Sequence, residues 1–406
     1  IFQDHNGNTA ADFYNRFQED IQLLKKLNIR HFRFSLSWSR LLPNGTGNIN
    51  EKGIEFYNRI IDCCLENNIT PWVTLYHWDL PYELEKKGGW ANRDILNWFR
   101  VYVDLCVNRF GSKVKHWMIL NEPIAFTGGG YFLGIHAPGR SGLKNFLPAI
   151  HHACLCQNIG FQLIKERYPE SEVGTTFSFS HIEAYTTTNL RQNTRHLAAA
   201  KRVDAILNRM ALEPTLGLPY PHTDLKVLAS INKYMQQGDE LLLKTPFDFI
   251  GVQTYTRELV KHSYSVPYLK AKLINAEKRN VPTTVLNWEI HPPSLYEVIK
   301  KVAAYTGVKK IIVTENGAAF NDRVESSRVH DPYRINYLQQ HIAELKRVKD
   351  EGINVKGYFV WSFIDNFEWS EGYHPRFGIV YVDFKTQKRV IKDSGYWYQQ
   401  FLKDHA

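Results

Sequence analysis

Two glutamates stand out by where they sit. Glu122 lies in Asn121-Glu122-Pro123, directly after the apolar run Lys115-His116-Trp117-Met118-Ile119-Leu120; Glu315 lies in Thr314-Glu315-Asn316-Gly317, after Lys309-Lys310-Ile311-Ile312-Val313. Short, near-continuous apolar runs of this kind read as strands buried on both faces of a parallel sheet. Each carboxylate is therefore set where a strand would empty into a pocket. Two carboxylates facing one bond, one to donate a proton and one to attack, are the minimal equipment for cleaving a glycosidic linkage. An isolated Asn-Glu-Pro recurs by chance; the two segments in this order, each at a strand end, form a far more specific signal.

A pair of this kind needs a scaffold whose strand ends converge, and the chain supplies alternating strand-like and helix-like segments from start to finish. Strands are predicted at His31–Leu36, Pro71–Tyr76, Lys115–Leu120, Glu172–Phe179, Phe247–Thr254, Lys310–Thr314 and Lys356–Trp361. Amphipathic stretches between and after them, such as Tyr14–Leu27, Lys52–Asn67, Arg93–Phe110, Leu147–Arg167, Arg195–Met210, Leu295–Tyr305 and Pro332–Glu351, have helical period, and Ser394–Lys403 reads as a closing helix. This is an α/β chain with seven strand–helix units, one short of a (β/α)8 barrel, and the deficit falls at the N-terminus. Two stretches, Gly128-Gly129-Gly130 and Leu216-Gly217-Leu218-Pro219, read as loops of the kind that build active sites in such barrels. No linker, repeat or low-complexity segment divides the chain, so residues 1–406 are expected to form a single domain, N-terminally incomplete.

Composition narrows the function classes. The formal charge of +9 comes from Lys and Arg scattered over the helical stretches, without a basic run interleaved with aromatics, so no nucleic-acid partner is expected. No run of about 18 apolar residues exists, so no membrane span is expected. Five cysteines, with Cys63-Cys64 adjacent and Cys154 and Cys156 in one helical stretch, do not resemble a disulfide framework. They fit a reducing, cytoplasmic compartment. The chain starts at Ile1 with neither Met nor a signal-like segment, so any targeting sequence would lie upstream. His151-His152-Ala153-Cys154-Leu155-Cys156 carries metal-binding residue types, but side chains this close in a helix radiate around its axis, and core packing is the expected role. Ten Trp, 22 Tyr and 23 Phe exceed what a core alone needs, and aromatic rings are what pockets set against the apolar faces of sugars.

Six segments in order, Arg33-Phe34-Ser35-Leu36-Ser37-Trp38, Tyr76-His77-Trp78-Asp79-Leu80-Pro81, Asn121-Glu122-Pro123, His136-Ala137-Pro138-Gly139, Thr314-Glu315-Asn316-Gly317 and Trp361 through Phe384, resemble glycoside hydrolase family 1, the β-glucosidase and β-galactosidase family of barrel enzymes. The resemblance covers nearly the whole chain. It implies a retaining β-glycosidase acting on β-glucosides or related β-hexosides, with Glu122 as general acid/base and Glu315 as nucleophile. Arg33 and Tyr255 match positions that contact the nucleophile. His77 and Asn121 match positions that bind the sugar's 3- and 2-hydroxyls, and Glu368 one that binds the 4- and 6-hydroxyls. Trp361 and Trp369 would stack or donate an indole N–H, with Trp78 and Phe377 completing the wall. The resemblance implies no metal and no organic cofactor, and leaves the oligomeric state open.

Two departures from the family pattern bear on the site. Gln253 stands where the family has Asn, which moves the amide one methylene outward, close to the nucleophile and the 2-hydroxyl. The first-strand segment that carries the family's sugar-binding Gln is absent, which leads to the expectation that Ile1 is not the start of the functional protein. Two further readings stay open here: a 6-phospho-β-glycosidase, disfavoured because Glu368 would repel a phosphate, and a catalytically silent carbohydrate-binding or scaffold protein on the same fold.

Overall fold

The computed structural model describes residues 1–405. Among them, seven parallel strands lie side by side in chain order: β1 (His31–Ser35), β2 (Thr70–Tyr76), β3 (His116–Asn121), β4 (Glu172–Ser178), β5 (Phe249–Gln253), β6 (Ile311–Asn316) and β7 (Val355–Val360). The register runs continuously across the sheet: Arg33 pairs with Trp72, Trp72 with His116, His116 with Glu172, Gly174 with Phe249, and Ile311 with both Ile250 and Val355. Consecutive parallel strands require crossovers. These are built around α2 (Glu51–Glu66), α3 (Ile95–Phe110), α4 (Leu143–Arg167), α5 (Leu190–Asp204), α6 (Pro293–Ala303) and α7 (Pro332–Asp350), with α1 (Phe13–Lys26) before the first strand and α8 (Asp393–Asp404) closing the chain. The architecture is that of a (β/α)8 barrel with seven strands in place, as the alternation of segments predicts.

Sequence explains the layering. α2 buries Ile54, Tyr57, Ile60, Ile61 and Cys64, spaced by three and four residues, so one face packs on the strands. α4 is buried almost all round, from Phe146 to Ile164, which places it between the barrel and the helices beside it. Its His151 sits between the Tyr220 hydroxyl and Asp239 Oδ2, each at 2.8 Å, and His152 Nδ1 donates to the Trp90 carbonyl at 2.8 Å. All five cysteines are free and buried. Among the described residues no cluster of His, Cys, Asp and Glu is placed to hold a metal, and no helix is long and apolar enough to cross a membrane. Inside the barrel Trp72, Met118, Phe249 and Ile312 pack with Phe359 and form a solid floor.

The barrel does not close between its first and last strands. β2 to β6 are buried along nearly their whole length, whereas β1 and β7 are mostly half-buried, as edge strands are. A cavity of about 700 Å³ runs along the seam, lined by Phe32 and Phe34 on one side and by Tyr358, Val360 and Phe363 on the other. Phe32 reaches across it to Phe363, ring centroids 6.1 Å apart.

Two expectations need correction. Gly128-Gly129-Gly130 is not a loop: it continues the short helix Pro123–Thr127 as a wide helical turn, Gly128–Phe132. A Cβ at Gly129 would lie 2.3 Å from the His136 ring and one at Gly130 2.4 Å from the Ala137 carbonyl, so these glycines let the His136-Ala137-Pro138 segment pack on the helix. The second correction adds strands. His181–Ala184, Arg257–His262 and Ala271–Leu273 form a small mixed sheet beside the barrel mouth, and Val380–Val382 pairs with Arg389–Ile391. Arg257–His262 reads Arg-Glu-Leu-Val-Lys-His, without the apolar/polar alternation that would mark a strand in sequence.

Candidate active site

Because all seven strands are parallel, their C-terminal ends meet at one face of the barrel, and there the chemistry-bearing residues converge. A pocket of about 370 Å³ at that face is lined by ten of the twelve expected residues: His77, Trp78, Asn121, Glu122 and Tyr255 from β2, β3 and β5, and Glu315, Trp361, Glu368, Trp369 and Phe377 from β6, β7 and the segment after it. The other two, Arg33 and Gln253, lie beneath it and reach Glu315 directly. The larger cavity at the seam contains neither carboxylate.

Local sequence fixes both glutamates. Strand β3 ends at Asn121 and Pro123 opens a helix, a position for which its ring is pre-organised. Glu122 is the single residue between them and takes a left-handed backbone, φ 49° and ψ 68°, a conformation that costs a non-glycine residue about 1–3 kcal/mol. At the other motif, Asn316 Nδ2 donates to the Thr254 carbonyl at 2.7 Å while Asn316 Oδ1 accepts from the Tyr358 hydroxyl at 2.7 Å, latching β6 to its neighbours. Gly317 is required by close approach, since a Cβ there would come 1.8 Å from the Trp361 carbonyl oxygen.

The environments of the two carboxylates differ sharply. Three donors converge on Glu315: Arg33 Nη1 at 2.5 Å and Gln253 Nε2 at 2.7 Å on Oε1, and the Tyr255 hydroxyl at 2.5 Å on Oε2. Tyr255 remains a donor because burial first, and the Glu315 charge second, push its hydroxyl well above the usual tyrosine range. Among the described residues no cation pairs with Glu122. Burial, and then the charge of Glu315, raise its carboxyl well above the ordinary glutamate range. Glu122 thus holds a proton where a normal glutamate has lost it, while Glu315 is oriented by a guanidinium, an amide and a hydroxyl.

Polar and aromatic side chains surround the pair. Asn121 Oδ1 accepts from Arg33 Nη2 at 2.5 Å and Gln253 Nε2 at 2.9 Å, and its Nδ2 faces His77 Nε2 at 3.1 Å. Burial drives His77 down to about 3, so it is a neutral imidazole; Asn121 donating to Nε2 leaves the proton on Nδ1, which faces the Ser35 hydroxyl at 3.0 Å. Gln253 keeps a bond to Glu315: its amide bridges Asn121 and Glu315, at the expense of a buried Oε1 with no partner. Trp78 stacks on Trp369 with centroids 5.2 Å apart and donates its indole N–H to the Asn121 carbonyl. Glu368, tied to Asn366 at 3.1 Å, is pushed up to about 7, mainly by burial.

Sequence reasoning missed a further stretch of wall, where Ser180, Thr256, Glu258, Leu286 and Trp288 line the pocket, the Trp288 ring standing 5.3 Å from Tyr255 and 6.1 Å from Phe377. Ser180 and Thr256 fall just past strand ends, a positional signal that could have found them. Leu286 and Trp288 sit in an irregular stretch with no such signal.

Comparison with known proteins agrees with this geometry. The profile described as glycosyl hydrolase family 1 matches residues 1–406. The chain is 41% identical over 402 residues to Beta-glucosidase A of Thermotoga maritima and to a 1,4-beta-D-glucan glucohydrolase of Thermotoga neapolitana, covering 98% of this chain and 88% of each relative. The solved structure of a beta-glucosidase from Thermotoga maritima in complex with deoxynojirimycin superposes with a TM-score of 0.93 at 39% identity, covering 100% of this chain and 90% of that one. A matching profile along the entire sequence, a shared fold and two buried carboxylates at the ends of parallel strands lead to one conclusion: the chain belongs to glycosyl hydrolase family 1.

Proposed function

We propose that the protein is a retaining β-glucosidase, with Glu122 as acid/base and Glu315 as nucleophile. The observation that carries this reading is the split between the two carboxylates: three donors on Glu315, and a buried, proton-retaining Glu122 beside it. Environments that push two titratable groups apart assign the acid and the base. Glu122 gives its proton to the glycosidic oxygen as Glu315 attacks the anomeric carbon, forming a glycosyl ester and releasing the alcohol. Glu122, now a carboxylate, takes a proton from water, whose oxygen displaces Glu315 and releases the sugar. Two displacements restore the original configuration. ¹H NMR of the first product from 4-nitrophenyl β-glucoside should therefore show β-glucose before mutarotation; α-glucose appearing first would overturn the reading.

His77, Asn121, Glu368 and the Trp361, Trp369, Trp78 and Phe377 wall are proposed to hold the glycone. The substrate class is β-glucosides and related β-hexosides. Glu368 argues against a 6-phosphorylated sugar, because its carboxylate would lie beside the phosphate. A silent binding protein has no need of a proton-retaining carboxylate next to a triply bonded one. Charge-assisted hydrogen bonds contribute about 1.5–3 kcal/mol each, so Glu368→Ala should lower kcat/KM for glucosides at least about tenfold. Steady-state kinetics that leave kcat/KM unchanged would move Glu368 out of the sugar's reach.

A further inference from the structure

Glu258 is a carboxylate in the pocket that the mechanism does not use. It belongs to the short strand Arg257–His262, which leaves the barrel mouth just after Tyr255. The neighbouring cations are committed elsewhere: Arg257 bonds Glu183 at 2.9 Å and Glu289 at 2.6 Å, and Arg279 pairs with Glu289 at 2.6 Å. Among the described residues nothing donates a hydrogen bond to Glu258 and no cation pairs with it, yet it is half-buried and lines the same 370 Å³ pocket as Glu122 and Glu315. Removing an ionisable group from water without a partner is costly, and burial raises its carboxyl to about 6, which leaves it mainly ionised at neutral pH.

Its place in the pocket says what the partner is. The proposed glycone-binding groups come from β2, β3 and β7 and the segment following β7, whereas Ser180, Thr256 and Glu258 follow β4 and β5 and share their wall with Leu286 and Trp288. Glu122, at the end of β3, stands between the β2 and β4 sides of the mouth. If Glu122 protonates the departing oxygen, the departing group lies beyond it, against the Ser180–Glu258 wall. That wall offers an indole, a leucine side chain and two hydroxyls, with one unpaired negative charge.

We propose that Glu258 selects the leaving group by charge: its carboxylate accepts hydrogen bonds from hydroxyl or ammonium groups of the aglycone and repels aglycones that carry an anion. The proposal rests on the β-glucosidase reading and on Glu122 facing the departing oxygen. Its chemistry is binding only, so no bond is made or broken at Glu258. Glu371, also at the pocket but exposed, adds to the negative field, though solvent screens it more.

The test is a charge series of aryl β-glucosides with matched size: 4-(aminomethyl)phenyl, 4-(hydroxymethyl)phenyl and 4-(carboxymethyl)phenyl, compared by kcat/KM at neutral pH. Wild type should favour the cation over the anion by at least about tenfold, a modest demand on a half-buried charge at contact distance. Glu258→Gln keeps the size and should shrink that ratio at least about fivefold; Glu258→Asp keeps the charge and should retain most of it. Any loss of active enzyme cancels in the ratio, so reduced folding leaves the readout intact, and Glu258→Ser serves the same readout should the Gln variant not accumulate. A ratio within about twofold of wild type in Glu258→Gln or Glu258→Ser, with all three substrates slowed alike, would overturn the proposal and make Glu258 a structural residue. If wild type turns over none of the three, the β-glucosidase reading itself falls and the proposal with it.

Discussion

Glu315→Gln should abolish turnover of every β-glucoside, with kcat falling by a factor on the order of 10⁵, the scale of losing a covalent nucleophile. The effect should not depend on the leaving group, because an amide cannot form the glycosyl ester whichever alcohol departs. Gln can keep its one carbonyl oxygen toward Arg33 Nη1 and Gln253 Nε2 and turn its NH2 to the Tyr255 hydroxyl, which then accepts, so the buried guanidinium is not stranded and the fold should survive. Near-native melting with no turnover is the expected pair of results. Azide adds a check on geometry. In Glu315→Ala a small anion can enter from the vacated face and should give the α-glucosyl azide by a single inversion. Substantial turnover by Glu315→Gln, or a β-azide from the alanine variant, would remove Glu315 from the nucleophile's role.

Much of this site was legible because its residues sit at strand ends, and buried parallel strands announce themselves as apolar runs. Met118-Ile119-Leu120 and Ile311-Ile312-Val313 located the ends of β3 and β6 to within a residue or two, and with them Glu122 and Glu315. Pro123 and Gly317 carried signals with a physical cause, one a helix start and the other a place where only hydrogen fits beside the Trp361 carbonyl. What sequence could not show is three-dimensional competition. A run of three glycines reads as a loop until the His136-Ala137-Pro138 segment is seen packed against it. Gln253 in place of Asn read as a displaced amide, yet its added methylene lets one Nε2 serve both Asn121 and Glu315. The Ser180–Trp288 wall had no motif, because it is assembled from short strands and irregular backbone rather than from a repeating pattern.

Glu122→Ala should have a large effect that depends on the leaving group, and that dependence separates an acid from a nucleophile. Poor leaving groups such as alkyl alcohols need a proton as the bond breaks, so their kcat/KM should fall by about 10²–10⁴, the usual worth of general acid catalysis. A dinitrophenolate leaves without a proton, so formation of the glycosyl-enzyme from dinitrophenyl β-glucoside should be nearly unchanged, giving a burst followed by slow hydrolysis. Azide, which needs no base, should then accelerate turnover and yield β-glucosyl azide, the opposite anomer to that from Glu315→Ala. The pH profile carries the same assignment. Burial and the Glu315 charge raise the Glu122 carboxyl, so the proton-bearing form persists below that raised value and is lost as pH climbs through it. Wild-type kcat/KM on an alkyl glucoside should therefore decline on an alkaline limb far above the value of about 4.3 expected of an ordinary glutamate. In Glu122→Ala that limb should vanish, since the group that titrates there is gone. An alkaline limb that survives the substitution, or an equal loss on alkyl and dinitrophenyl substrates without azide product, would reassign the proton donor. The free space left by the alanine would then be filled by water that does no chemistry.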